Sequence, residues 1–218
     1  GLSAVHDASF AGQRDGGSQQ AYGILRAPQE LADSRVRTHL LDWGSSKIKR
    51  KCRSTLSCEA ASAARAYDRG CFARVMLKEL ESGLPSKWER PWTDPEEAAL
   101  SWSDMCQHIP FVFGTDCKSL YDVCMKTASV PEEKRVALDL LDVKEGITEM
   151  KDKIRWVPTD HMLVDSLTKD MPCDALLKYL KDMEYSLKYD EEIKNTKREL
   201  QKQRAAKRKK LTEFVEEN

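Results

Sequence analysis

Asp7, Glu59, Asp116 and Asp165 are the residues of this sequence whose types and positions point most directly to chemistry. Asp7 lies in a predicted first strand beside Val5, Ala8 and Phe10. Glu59 falls in the opening turns of the first predicted helix, Asp116 at the carboxyl end of the fourth strand, and Asp165 near the start of the last helix. Taken singly, three of them have ordinary explanations: Asp116 as a helix cap, Glu59 and Asp165 as negative charge at helix N-termini. Asp7 does not, because a carboxylate in a central strand is costly to desolvate and needs a compensating cation. In an open α/β sheet the carboxyl ends of strands and the adjoining helix starts converge on one crevice. Carboxylates gathered there repel one another and must be protonated or neutralised by metal. An oxygen-only donor set selects Mg²⁺ or Mn²⁺ over zinc. Two such ions held ~4 Å apart activate water and stabilise the leaving oxygen of a phosphodiester, which is nuclease chemistry.

The elements that would position these groups follow from hydrophobic periodicity. Residues 3–10, 20–27 and 36–43 read as three antiparallel strands, the first two joined by a loop from Gln13 to Ser18 containing Gly16 and Gly17. From Leu56, apolar residues recur at three- and four-residue steps, predicting a helix capped by Ser54 or Thr55 and ending near Ser82-Gly83. Residues 82–108 carry three prolines and Trp88, Trp92 and Trp102 and read as an inserted loop. A strand at 109–113, a helix at 118–126, a helix at 131–146 opening on Pro131 and Glu132, and a strand at 154–157 come next. Thr159 or Asp160 then caps a final helix carrying Leu163, Leu167, Leu176, Leu177 and Leu180. The fold class is α/β: a mixed five-stranded sheet, antiparallel strands first, flanked by helices. The domain spans 1–172, and 173–218 forms a helical, charged and partly disordered tail.

Composition narrows the setting. The 218 residues balance 36 basic against 36 acidic side chains, so the chain is not a uniformly basic nucleic-acid binder. The charge is uneven: between Lys194 and Lys210 nine Lys or Arg face one acidic residue, a solvated stretch drawn to polyanions. No apolar run approaches the ~20 residues that span a bilayer, and the first residues lack a signal-peptide layout. Seven irregularly spaced cysteines without a C-x-x-C pair read as reduced thiols, placing the protein inside the cell, in cytoplasm or nucleus. Gly1 in place of Met points to a fragment or processed piece.

Five short words carry a resemblance. V-H-Asp7-A-S-F-Ala11-Gly12, Trp43-Gly-Ser45-Ser46-Lys47, Leu56-Ser57-Cys58-Glu59-Ala60, Thr115-Asp116-Cys117-Lys118-Ser119 and Asp165-Ser166-Leu167-Thr168-Lys169 resemble, in order, the motifs of the ribonuclease H domain of copia-type LTR retrotransposon polyproteins. The likeness covers about residues 3–172. Ser9, Phe10, Cys117 and Ala61 stand where the family's words usually have Asp, Trp, Asn and Glu, and none of these departures removes one of the four metal-ligand positions the resemblance implies. The resemblance implies a ribonuclease H-like fold and two Mg²⁺ (or Mn²⁺) ions. Asp7 would bridge them, Glu59 and Asp116 completing one site and Asp165 the other. It also implies hydrolysis of the RNA strand of an RNA/DNA hybrid, read through backbone shape and the 2′-OH. A reverse transcriptase domain is the partner protein it suggests.

Lys47, Lys49, Arg50, Lys51 and Arg53 put five cations in seven residues, fit either to hold nucleic-acid phosphates or to protect a sheet edge, and Lys169 joins them as a candidate phosphate contact. His161, four residues before Asp165, could shuttle protons or could be a surface histidine. Cys58 has no evident base partner and is a poor nucleophile candidate. Two other readings share the fold: a catalytically inactive or domesticated nucleic-acid-binding module using the basic tail, and a DNA nuclease or integrase, which needs only three carboxylates.

Overall fold

The computed structural model describes residues 1–81, 109–126 and 130–187. The chain divides into the units Gly1–Lys188 and Tyr189–Asn218, and the described residues belong to the first. The expected tryptophan-rich insertion at 82–108 and the basic stretch at 194–210 lie outside the described residues.

Strand β1 (Leu2–Ser9) is the centre of a five-stranded sheet. On one side it pairs antiparallel with β2 (Gln19–Arg26), which pairs antiparallel with β4 (His39–Lys47). On the other it pairs parallel with β5 (Phe111–Thr115), which pairs parallel with β6 (Lys153–Trp156). This is the expected mixed sheet flanked by helices. Every residue of β1 is buried, as a strand covered on both faces must be.

Helix α1 (Thr55–Glu81) covers one face. Ser54 caps it, its Oγ accepting the Ser57 N–H at 3.1 Å. Small residues bring the helix close to the sheet: Ala60, Ala63 and Ala66 are fully buried, and a Cβ on Gly70 would meet the Phe111 ring at 2.4 Å. Leu120 and Cys124 of α2 (Lys118–Met125), Val136 of α3 (Lys134–Asp139) and Val143 of α4 (Leu141–Thr148) complete that core. The opposite face packs Val5, Leu25 and Val112 against Met162, Leu163, Val164, Tyr179 and Leu187.

Four local expectations are corrected. The third strand does not run over 36–43: Val36–Arg37 forms a separate strand, β3, paired with β7 (Glu184–Tyr185). Thr38, whose N–H donates to the Met183 carbonyl, separates it from β4. The helix over 131–146 is two helices, because Leu140 takes ψ −4° and interrupts the turn geometry, and Pro131 and Glu132 precede the first of them. The helix expected from Thr159 is two 3₁₀ turns, Thr159–His161 and Asp165–Leu167, and a separate helix α5 (Asp174–Asp182). Met162, Leu163 and Val164 are all buried in succession, which no single helix face provides, and Pro172 stands between the second turn and α5. Finally, the packed body continues past 172: Tyr179, Tyr185 and Leu187 are core residues, and the Tyr179 hydroxyl accepts from Thr38 Oγ1.

One buried ion pair ties α1 to the start of β6. Arg74 Nη1 donates to Asp152 Oδ2 at 2.8 Å, with side-chain exposures of 1 % and 2 %. The Tyr67 hydroxyl donates to the same oxygen at 2.7 Å. Replacing Asp152 by Ala strands a charged guanidinium in the core. Urea unfolding of Asp152→Ala is expected to show a loss of about 3–5 kcal/mol, and a loss below about 1 kcal/mol would contradict the pairing.

Candidate metal centre

The carboxyl end of β1 is where the site forms, because alternate side chains of a strand point to opposite faces. His6 turns toward α1, its ring stacked on Phe113 at a centroid distance of 5.0 Å. Asp7 turns the other way, toward the second 3₁₀ turn and the residues after it. Thr168 donates its hydroxyl to Asp7 Oδ2, and Lys169 Nζ lies 3.3 Å from Asp7 Oδ1. Ser62 of α1 fixes the backbone beneath, its hydroxyl donating to the Asp7 carbonyl at 2.8 Å.

Asp165 opens the second 3₁₀ turn, buried, and pairs through Oδ1 with Lys169 Nζ. Asp116 follows β5 and is held by the Thr159 side chain, while its carbonyl accepts from Trp156 Nε1 at 2.9 Å. A carboxylate oxygen from each of Asp7, Asp116 and Asp165 lies within 4.8 Å of the others. Among the described residues, then, three of the four expected acids form one compact set.

Glu59 approaches from the α1 side, 4 % exposed and outside that set. It accepts the Ala8 N–H, but its Oε2 has no hydrogen-bond partner. The nearest cation candidate is His6 Nδ1 at 3.7 Å. That contact is not an ion pair: burial lowers His6 to about 3, and burial, aided by the charges of Asp7 and Asp116, raises Glu59 to about 9. Both are neutral at pH 7. Burial also raises Asp7, to about 6 against the opposing pull of Thr168 and Lys169, and shifts Asp116 upward. Lys169 is held above its ordinary value: burial works against its charge, but the Asp165, Asp7 and Asp116 carboxylates outweigh it.

The remaining candidates separate. Lys49, Lys51 and Arg53 are exposed. Lys47 is paired with Asp15, and the Arg50 guanidinium grips Asp139 of α3 through both nitrogens. Lys169 faces the carboxylates. His161 ends the first 3₁₀ turn, and the extended Met162 after it removes the helical relation to Asp165 assumed from spacing. Cys58 is buried, its thiol raised to about 12 by burial and donating to Ser18 Oγ, an unreactive state. Sequence reasoning missed His6 and did not assign Asp7 its cation. The spacing of Lys169 four residues after Asp165 was the available signal.

No family model matches this sequence, and no curated protein matches it. Solved structures that overlap the chain include two of ribonuclease H1. One is ribonuclease H1 from the halophilic archaeon Halobacterium salinarum NRC-1, at 12 % identity and TM-score 0.40, covering 81 % of this chain and 98 % of that one. The other is LC11 ribonuclease H1 in complex with an RNA/DNA hybrid, at 11 % identity and TM-score 0.42, covering 81 % and 99 %.

The raised acids give the metal-free protein a definite pH response. A carboxyl that is easier to protonate folded than unfolded contributes stability below its unfolded value and loses it as pH rises through the folded value. Asp7 acts from 3.8 to about 6 and Glu59 from 4.5 to about 9. His6 opposes them only below 6.5, where the unfolded chain takes up its proton. With chelator present, stability should therefore fall between pH about 6.5 and 9, and urea midpoints of Glu59→Gln should be flatter over that interval. An equally steep decline in the variant would refute the assignment.

Proposed function

We propose that this chain is a metal-dependent ribonuclease H domain of a copia-type retrotransposon polyprotein, hydrolysing the RNA strand of RNA/DNA hybrids. The observation that carries the reading is the convergence of Asp7, Asp116 and Asp165 within 4.8 Å, from positions far apart in sequence. The donor set fits a hard divalent ion. It is all oxygen, partly buried, short of positive charge, and flanked by Glu59 Oε2, a buried acceptor without a partner.

Asp7, Asp116 and Asp165 would hold Mg²⁺ or Mn²⁺, with Glu59 completing the ligands of a two-ion centre. The bound ions would supply an activated water and neutralise charge on the phosphodiester. The chain's own part is positioning. Ser62 and Thr168 fix the backbone and carboxylate of Asp7, and Thr159 fixes Asp116. The exposed Lys49, Lys51 and Arg53 would contact phosphates, while Lys47 and Arg50 reach them only by giving up Asp15 and Asp139. His161 would serve as proton carrier, since its 3₁₀ turn also carries the Thr159 that holds Asp116. An intracellular reverse transcriptase domain is the partner this assignment entails.

The test is cleavage of end-labelled RNA in an RNA/DNA hybrid with Mg²⁺. Asp116→Asn is expected to lower the rate by more than about a hundredfold with folding intact by circular dichroism. Hybrid binding without turnover in the wild-type protein would instead support the inactive nucleic-acid-binding module.

A further inference from the structure

We propose that Lys169 is the resident counter-ion of the carboxylate centre and competes directly with divalent ions for the same oxygens, so that ion uptake requires its ammonium to leave. The inference rests on the metal-centre reading above and deepens it. Its grounds are geometric. Lys169 Nζ touches Asp7 Oδ1 at 3.3 Å and Asp165 Oδ1 more closely, bridging two of the three acids that form the compact set. A divalent ion bound by both acids would take those oxygens at about 2.0–2.6 Å, where its charge repels an ammonium held on the same two oxygens.

The side chain is suited to leaving. It is 38 % exposed, against 1 % for the Asp7 carboxyl it serves. An ammonium on a four-carbon stem is a point charge with rotatable donors, without the bidentate fork by which a guanidinium locks a carboxylate. Arg50, on Asp139, shows that locked form elsewhere in the chain. Thr168 is bound independently of its neighbour, donating to Asp7 Oδ2 while its hydroxyl also meets the Asp165 carbonyl at 3.0 Å. Departure of the lysine head therefore leaves Asp7 oriented. One ammonium is also too little charge for three carboxylates at this spacing, so a 2+ ion that displaces it improves the neutralisation.

The experiment is Mn²⁺ titration of the full chain, with free ion counted by electron paramagnetic resonance, for wild type, Lys169→Met, Lys169→Gln and Lys169→Arg. Folding of each is checked by circular dichroism, and the Gln variant gives the reading should the Met variant not fold. Removing the competing charge should tighten binding by at least about tenfold in the neutral variants. The Arg variant should stay within about threefold of wild type or bind more weakly. Unchanged or weaker binding in the neutral variants overturns the role given to Lys169 while leaving the metal centre standing. Absence of bound Mn²⁺ in every protein overturns the metal-centre reading, and this inference with it.

Discussion

Like charges held together at the end of a buried strand are the constraint on which the rest of this structure depends. Asp7, Asp116 and Asp165 come from three segments that would separate if free to do so, and Glu59 adds a fourth acid in their field. Bringing them together and removing them from water both oppose folding. The apolar cores on the two faces of the sheet must outweigh that opposition, and their placement reflects it. β1 is buried along its whole length, and the fully buried Ala60, Ala63 and Ala66 let α1 lie close against it. The strand that carries Asp7 is therefore held by packing on both faces.

The alternation of β1 divides the site between two environments. His6, stacked on Phe113 with both ring nitrogens unpaired, meets Glu59, whose Oε2 has no partner, on the α1 side, and burial favours the neutral form of each. Asp7 meets Thr168 and Lys169 on the other side, where a hydroxyl and an ammonium sustain charge. Adjacent residues thus follow opposite electrostatic regimes. A ligand able to reach both sides must lie across the strand end rather than within either core.

Much of this was legible in the sequence because it rested on patterns with a physical period. The three- and four-residue stripe from Leu56 marked α1, with Ser54 one of two candidate caps, and the compact apolar run over 109–113 placed β5 to within two residues. Asp7 was marked as needing a cation by its strand alone. What escaped was decided by tertiary packing. The segment from Thr159 to Leu167 has helix-like leucine spacing, but burying Met162, Leu163 and Val164 in succession forces it into 3₁₀ turns. Those turns aim Asp165, Thr168 and Lys169 at Asp7. The pairing of Val36–Arg37 with Glu184–Tyr185, which draws residues beyond 172 into the body, joins segments about 150 apart in sequence that carry no mutual signal.

Among the described residues, the Arg74–Asp152 pair and the carboxylate cluster differ in kind. Arg74 and Asp152 are sealed, both almost without exposure, with Tyr67 satisfying the same oxygen and the guanidinium lying 5.3 Å over the Phe111 ring. Nothing from solvent can replace either partner without opening the core, so the pair acts as a fixed joint between α1 and the start of β6. At the other end of β1 burial favours a proton on Glu59, and the positive charge facing the other acids is the ammonium of Lys169, 38 % exposed. That head can turn to solvent without disturbing the sheet. A fold that needed only to neutralise its acids would use the sealed form at both places. The exchangeable form at the carboxylates is what a centre requires if its counter-ion must change between the resting and the working protein.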